Sequence, residues 1–348
     1  MYAPATNSHG PRILYTDRLR TLFQLILIAV LASLAWLAYV LMVPPSHGHQ
    51  DASVLIQPGW SARQIAFELE RSRVVRSRAA FLVLHYARGQ QSLKAGEYVF
   101  GRPERALDVY DRLVRGDILT RTVVIPEGYN LFEIAAALES AGVVPAGDFV
   151  RVARSDVALV ADFDPEASSL EGYLYPDTYR FTRTQGAREV AATMVRRFRQ
   201  EAKALGLNTG VRRTVILASI IEKETSVPEE RPLVSSVFHN RLARNTVLAA
   251  DPTVVYAAQL AGRFRGVIYK SDLEFDSPYN TYRHAGLPPG PIANPGSGSL
   301  AAAMRPAESD YLFFVSDNQG RHRFAASAAE HARNVAAYRQ SVSQGRRR

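Results

Sequence analysis

Ile56–Val75, IQPGWSARQIAFELERSRVV, and Ile125–Val144, IPEGYNLFEIAAALESAGVV, are two versions of one pattern. Gly59 pairs with Gly128, Ile65 with Ile134, Leu69 with Leu138 and Val74 with Val143, all at the same offset. Each copy opens on a β-branched run (Val54–Ile56; Val123–Ile125), which favours a strand. A Pro/Gly turn with an aromatic follows, Trp60 in one copy and Tyr129 in the other. Apolar residues then recur at i, i+4 (Ile65 with Leu69; Ile134 with Leu138), the spacing of a helix face. Ser61 and Asn130 stand where N-caps are expected. The repeat therefore predicts strand–turn–helix twice, and an α+β fold. From pattern alone, a duplicated structural unit with Trp60 and Tyr129 in its own core outweighs a carbohydrate-binding module that exposes them.

Outward from the repeat, LKAGEYVF (Leu93–Phe100) reads as a strand and Leu107–Leu113 as a short helix stopped at Arg115-Gly116. Towards the C-terminus, DYLFFVSD (Asp310–Asp317) reads as a buried strand. GRHRF (Gly320–Phe324) reads as a hairpin turn and return strand, and Ala329–Tyr338 as a terminal helix.

The chain has 348 residues, 47% of them apolar, enough for two or three soluble domains with proper cores. It has no cysteine, which excludes disulfides, a thiol nucleophile and thiolate metal sites. The net charge of +9 is compatible with nucleic acid, anionic lipid or an anionic polymer. The arginines come in short scattered groups, and no zinc-finger spacing, RNP-like strand or glycine-rich phosphate loop is present, so nucleic acid is disfavoured.

Leu22–Val43 reads LFQLILIAVLASLAWLAYVLMV, with one amide and no charge, and is long enough to cross a bilayer core. Trp36 and Tyr39 fall near one end, as interfacial aromatics do. Arg12, Arg18 and Arg20 precede it against Asp17, and the next charge is Asp51. By the positive-inside rule the N-terminus is cytoplasmic and the rest is outside. A cleaved signal peptide is the alternative, but the run is long for one and VPPSHGHQD is a poor cleavage site.

Chemistry concentrates in VRRTVILASIIEKETSVPEE, Val211–Glu230. On a helix, Glu222 shares a face with Val215, Ala218 and Ser219. The two small residues leave room beside its carboxylate, and burial there would suit it to act as a general acid. A solvated surface charge is the bland alternative, while Glu224 points elsewhere. Asp251-Pro252 is expected to initiate a turn. SPYNTYRHAGLPPGPIANPG, Ser277–Gly296, should be a long ordered loop. Tyr279 and Tyr282 are candidates to stack on sugar rings; Ser277, Asn280, Asn294 and Asp251 are candidates to bond polar groups of a ligand. A rigid loop that satisfies its own backbone explains the same composition.

Several motifs recur in order: IPEG from Ile125, EGYLYPDTY (Glu171–Tyr179), LASIIEKET (Leu217–Thr225), VFHNRL (Val237–Leu242), DPTVVY from Asp251, SPYNTY from Ser277, GLPPGPIANPG from Gly286, and Glu330-His331. Together they resemble the endolytic murein transglycosylase (YceG-like) family from about Val54 to Tyr338. The resemblance implies a cytoplasmic tail at 1–21 and a single-pass inner-membrane helix at 22–43. It implies a LysM-like domain at 51–122, a catalytic domain at 123–340 with a lysozyme-like catalytic helix, and a basic tail at 341–348. It implies cleavage of MurNAc–GlcNAc bonds within peptidoglycan strands on the non-cytoplasmic side, leaving 1,6-anhydro ends, with no metal or cofactor. It places the family's glutamate at Glu222, shifts Trp60 towards sugar binding and suggests cell-wall synthases such as penicillin-binding proteins as partners. Ala249 and Ala250 depart from the polar residues the family often carries there. A non-catalytic peptidoglycan-binding scaffold and a hydrolytic muramidase are the alternatives. The muramidase would need a second carboxylate from Asp251, Glu171 or Glu224.

Overall fold

The computed structural model describes residues 12–45 and 52–345. The start of the tail expected to be cytoplasmic (1–11), Asp51 and the closing arginines Arg346–Arg348 lie outside the described residues. The chain forms two compact units, Met1–Leu119 and Thr120–Arg348.

In the first unit, Arg12–Met42 is one helix (α1). Its stretch Arg18–Met42 has a mean hydropathy of 2.6, and its apolar side chains are almost all exposed. Its 25 residues rise about 37 Å, more than a bilayer core. The last turn differs from the rest. Val40 is buried, and Leu41 packs against the core of the unit. The Arg76 guanidinium donates to the carbonyls of Val43 (3.0 Å) and Pro44 (2.7 Å) and lies 5.3 Å over the Tyr39 ring. A cation thus satisfies carbonyls at the end of α1, where no helical partner exists.

The rest of the unit runs β1 (Ala52–Ile56), α2 (Ala62–Arg71), α3 (Arg78–Ala87), β2 (Gly96–Phe100) and α4 (Ala106–Arg115). Strands β1 and β2 pair antiparallel, Ala52 opposite Phe100 and Ile56 opposite Gly96. Alternation along β1 sends Val54 and Ile56 into a core with Leu69, Phe81, Tyr98 and Leu113. Ser61 and Gln64 form the capping box that starts α2.

The second unit opens with the same order: β3 (Arg121–Ile125), α5 (Leu131–Ser140), α6 (Ala146–Ser155) and β4 (Asp177–Phe181). Strands β3 and β4 also pair antiparallel, Ile125 opposite Asp177. The repeat is therefore longer than its sequence signature, since each copy continues into a second helix and a returning strand. Gly59 and Gly128 hold matching left-handed conformations (φ 82° and 78°) at the two turns, which explains why both copies need glycine there. Trp60 and Tyr129 are half-buried, each against the core of its own unit.

There follow α7 (Ala187–Leu205), α8 (Val211–Glu224), α9 (Arg231–Ala243), α10 (Asp251–Leu260), α11 (Lys270–Leu273), α12 (Ser297–Met304), β5 (Phe313–Ser316), β6 (His322–Ala325) and α13 (Ala328–Gly345). Helix α8 is central: Val215 to Ile221 are all buried, and α9, α10 and α12 pack around it. Two expectations are corrected here. Asp251-Pro252 begins helix α10 instead of a turn, because proline fits the first turn of a helix without losing a needed N–H. The strand expected over Asp310–Asp317 is β5 alone, half-buried throughout, because its sheet is a two-stranded hairpin with β6.

Candidate active site

Glu222 and Glu224 end helix α8 and face different surroundings. The Glu222 side chain is 6% exposed. Its Oε1 accepts from the Arg231 guanidinium at 3.2 Å, and its Oε2 accepts from the Gly296 N–H at 2.9 Å, at the start of α12. Arg231 also meets Glu127 at 3.3 Å. Both Glu222 oxygens are thus acceptors in a protein-internal network. The room expected beside Ala218 and Ser219 is filled by the chain itself. Both residues are fully buried, and the Ser219 hydroxyl accepts the Ile292 N–H (3.0 Å) while donating to the Ile216 carbonyl (2.7 Å). The small residues of α8 admit the 291–296 segment, not a ligand.

Glu224, the last residue of α8, faces Asp251 of α10 and Arg241 of α9. Burial, then the Asp251 charge, push its carboxyl up to about 8, against the pull of Arg241. Arg241 is itself fixed: its guanidinium donates to the carbonyls of Leu312 (2.7 Å) and Leu248 (2.5 Å). Its desolvation pulls its pKa below the usual arginine range. The Tyr282 hydroxyl donates to Asp251 Oδ1 at 2.5 Å, and burial pushes the phenol above its ordinary range. The charges of Asp251 and Arg241 thus act on a carboxyl whose pKa, pushed up to about 8, keeps its proton at neutral pH. The sequence offers Glu224 only as a second carboxylate for a muramidase, because it leaves the Glu222 face. Nothing local in the sequence signals that this other direction leads to Asp251 and Arg241, which come from helices distant in the chain.

The loop residues divide. Asn280 is fully buried, and its amide donates to the carbonyls of Leu273 (3.0 Å) and Phe275 (2.8 Å). Asn294 is also fully buried. Its Oδ1 accepts the Leu174 N–H (2.8 Å), and its Nδ2 donates to the Tyr129 carbonyl (2.9 Å) and to Glu171 (2.7 Å). Ser277 accepts the Tyr279 N–H in a local turn, and the Tyr279 ring packs 5.2 Å from that of Tyr256. These four maintain the loop, as its rigid reading required; the expectation that Asn280 and Asn294 bond ligand is corrected by their burial and full engagement. Tyr282 and Asp251 remain exposed, beside Glu224.

Glu171 ties the unit together from below. It is 1% exposed. Oε2 accepts from the Leu131 N–H (3.0 Å) and the Tyr256 hydroxyl (2.9 Å), and Oε1 from Asn294 (2.7 Å). Burial outweighs these donors and pushes its carboxyl up to about 7. Next to it, Gly172 is left-handed (φ 87°) and stands where a Cβ would run into Pro291 and Val215. Among the described residues, no group of three or more His, Asp or Glu is placed to hold a metal ion.

The sequence model of the YceG-like family matches residues 54–337. The chain is 30% identical over 311 residues to an endolytic murein transglycosylase of Bacillus subtilis (strain 168), covering 80% of this chain and 82% of that protein. It is 28% identical over 321 residues to an endolytic murein transglycosylase of Streptococcus pneumoniae serotype 2 (strain D39), covering 82% of this chain and 58% of that one. A crystal structure of a YceG-like protein from Listeria monocytogenes superposes with a TM-score of 0.54 at 31% identity, over 82% of this chain and 99% of that one. With the family's pattern spanning both compact units, the chain belongs to the YceG-like family.

Proposed function

We propose that this protein is an endolytic lytic transglycosylase of peptidoglycan, held in the inner membrane by α1, and that Glu224 is its acid and base. The relatives named endolytic murein transglycosylase support the activity. The observation that carries the residue assignment is the setting of Glu224: a carboxyl that keeps its proton up to about pH 8, beside the exposed pair Asp251 and Tyr282.

The chemistry needs one such group. Glu224 protonates the glycosidic oxygen as the MurNAc–GlcNAc bond breaks. The same group, now a carboxylate, takes the proton from the C6 hydroxyl of the muramic ring as that oxygen closes on C1. The nucleophile belongs to the substrate, so no water is consumed and the high effective molarity of an intramolecular attack assists ring closure. To the Asp251 carboxylate, which accepts a hydrogen bond from Tyr282, this reading assigns the stabilisation of the oxocarbenium-like centre. Glu222 instead locks the end of α8 to α12 and α9.

The βααβ order with antiparallel strands in the first unit supports a LysM-like reading of residues 51–122, a module that holds glycan close to the catalytic unit at 123–340. The apolar length of α1 and the arginines before it support a single-pass anchor with a cytoplasmic N-terminus. Such an enzyme acts on strands near the membrane as synthases release them, and so terminates their growth.

Digestion of uncrosslinked glycan strands, read by mass spectrometry, tests the activity. Products ending in 1,6-anhydro-MurNAc are expected. Products one water heavier would make the protein a muramidase, and binding without products would make it a scaffold.

A further inference from the structure

A hollow opens beside the Glu224 site, sharing Asp251 with it. It measures about 270 Å³ and runs between the end of α8 and the outer face of α10. Pro252, Val255, Ile292 and Phe264 give it apolar walls. Its polar groups are Lys223, Glu133 and Asp251, with the amide pair Asn130–Gln259 (2.8 Å) between them. The Lys223 ammonium donates to the Gly128 carbonyl at 3.1 Å, which leaves it further protons to donate. Glu133 accepts the Asn130 N–H through Oε2 (2.8 Å).

The charge pattern narrows the occupant. A neutral sugar ring does not call for an ammonium and two carboxylates in one hollow. A purely anionic ligand would meet Glu133 and Asp251 with the wrong sign. A peptide bearing both carboxylates and a free amine matches both signs, its short side chains fit the apolar walls, and its amides suit Asn130 and Gln259. Position agrees with chemistry. Asp251 belongs to both the hollow and the Glu224 site, and Lys223 is the chain neighbour of Glu224. In the substrate, the peptide hangs from the lactyl ether of the same muramic ring whose C1 reacts, so it must lie next to the catalytic acid.

We infer that this hollow, with Lys223 and Glu133 at opposite signs, holds the uncrosslinked stem peptide of the muramic ring being cleaved. The inference rests on the lytic activity proposed above. It makes the enzyme selective for strands whose peptides still carry a free amine, since crosslinking turns that amine into an amide and removes the charge that Glu133 meets.

The test compares three substrates of equal glycan length: strands with free stem peptides, strands whose peptide amines are acetylated, and strands stripped of peptide. Full-length protein is assayed as wild type, Lys223→Met and Glu133→Gln. Wild type should show kcat/KM about tenfold higher on free-peptide strands than on stripped ones, the worth of one or two charge-assisted contacts. In both variants that ratio should fall towards unity, through KM. Acetylation should cost the wild type what Glu133→Gln costs, and should cost that variant nothing more. Because the readout is a ratio, a general loss from disturbing the Gly128 turn does not imitate it. A wild type that cuts free-peptide and stripped strands equally, or variants that keep the wild-type ratio, would overturn the inference while leaving the lytic activity intact. A wild type that cuts none of the three would overturn the activity itself and the inference with it.

Discussion

The Glu222 carboxylate accepts the Gly296 N–H at 2.9 Å, so it faces the start of α12 and not the surface where Glu224 meets Asp251. Two glutamates two residues apart on α8 thus carry different duties: one binds protein to protein, the other presents a proton.

Exchange of these carboxyls should therefore separate stability from chemistry. Glu222→Gln loses the charge that partners Arg231, a pair 6% and 13% exposed, and should cost about 1–3 kcal/mol. Urea melts would register the loss, while folded protein keeps measurable activity. A variant as inactive as Glu224→Gln and as stable as wild type would assign the chemistry to Glu222 instead.

The alkaline limb of the pH profile follows from Glu224. Its acid form is required and its pKa is about 8, so kcat/KM should fall as pH rises through about 8. Asp251 raises that pKa, so Asp251→Asn should move the limb to lower pH in addition to lowering the rate. A limb that stays in place in Asp251→Asn would detach it from Glu224.

Stability should vary with pH in the same direction. Burial lifts both Glu224 (about 8) and Glu171 (about 7) above the ordinary 4.5. Between 4.5 and these values the folded chain binds more protons than the unfolded one. Their contribution is full below 4.5 and is lost as pH rises through the folded pKa. Thermal melts from pH 5 to 9 should show Glu224→Gln gaining on wild type as pH rises. A constant difference across that range would contradict the burial of Glu224.

Gly172 offers a test of the packing under the site. A side chain there would adopt a left-handed conformation and press on Pro291 and Val215. Gly172→Ala should cost about 2–4 kcal/mol, combining backbone strain with overpacking. Gly59→Ala, at an equally left-handed turn with open space around it, should cost less.

The repeat was legible because its signals are local: glycines at matching turns, N-caps Ser61 and Asn130, and apolar residues at helical spacing. Its continuation into α3 and α6 was not, since Phe81, Leu84 and Phe149 share no motif and are placed by the cores they fill. The same limit applied at the site. The sequence marked α8 and the 277–296 loop as the places of chemistry. A helical wheel also showed that Glu222 lies on the small-residue face. It could not show that the loop itself fills that face through Ile292 and Gly296, nor that Asn280 and Asn294 turn inward. Those facts depend on contacts between segments far apart in the chain, as does the meeting of Glu224 with Asp251 and Arg241.

The most direct measurement compares wild type, Glu222→Gln and Glu224→Gln on uncrosslinked glycan strands, with anhydro-ended products counted by mass spectrometry in a single experiment. The assignment predicts such products from wild type and Glu222→Gln and essentially none from folded Glu224→Gln. Anhydro ends released by Glu224→Gln at the wild-type rate would contradict it.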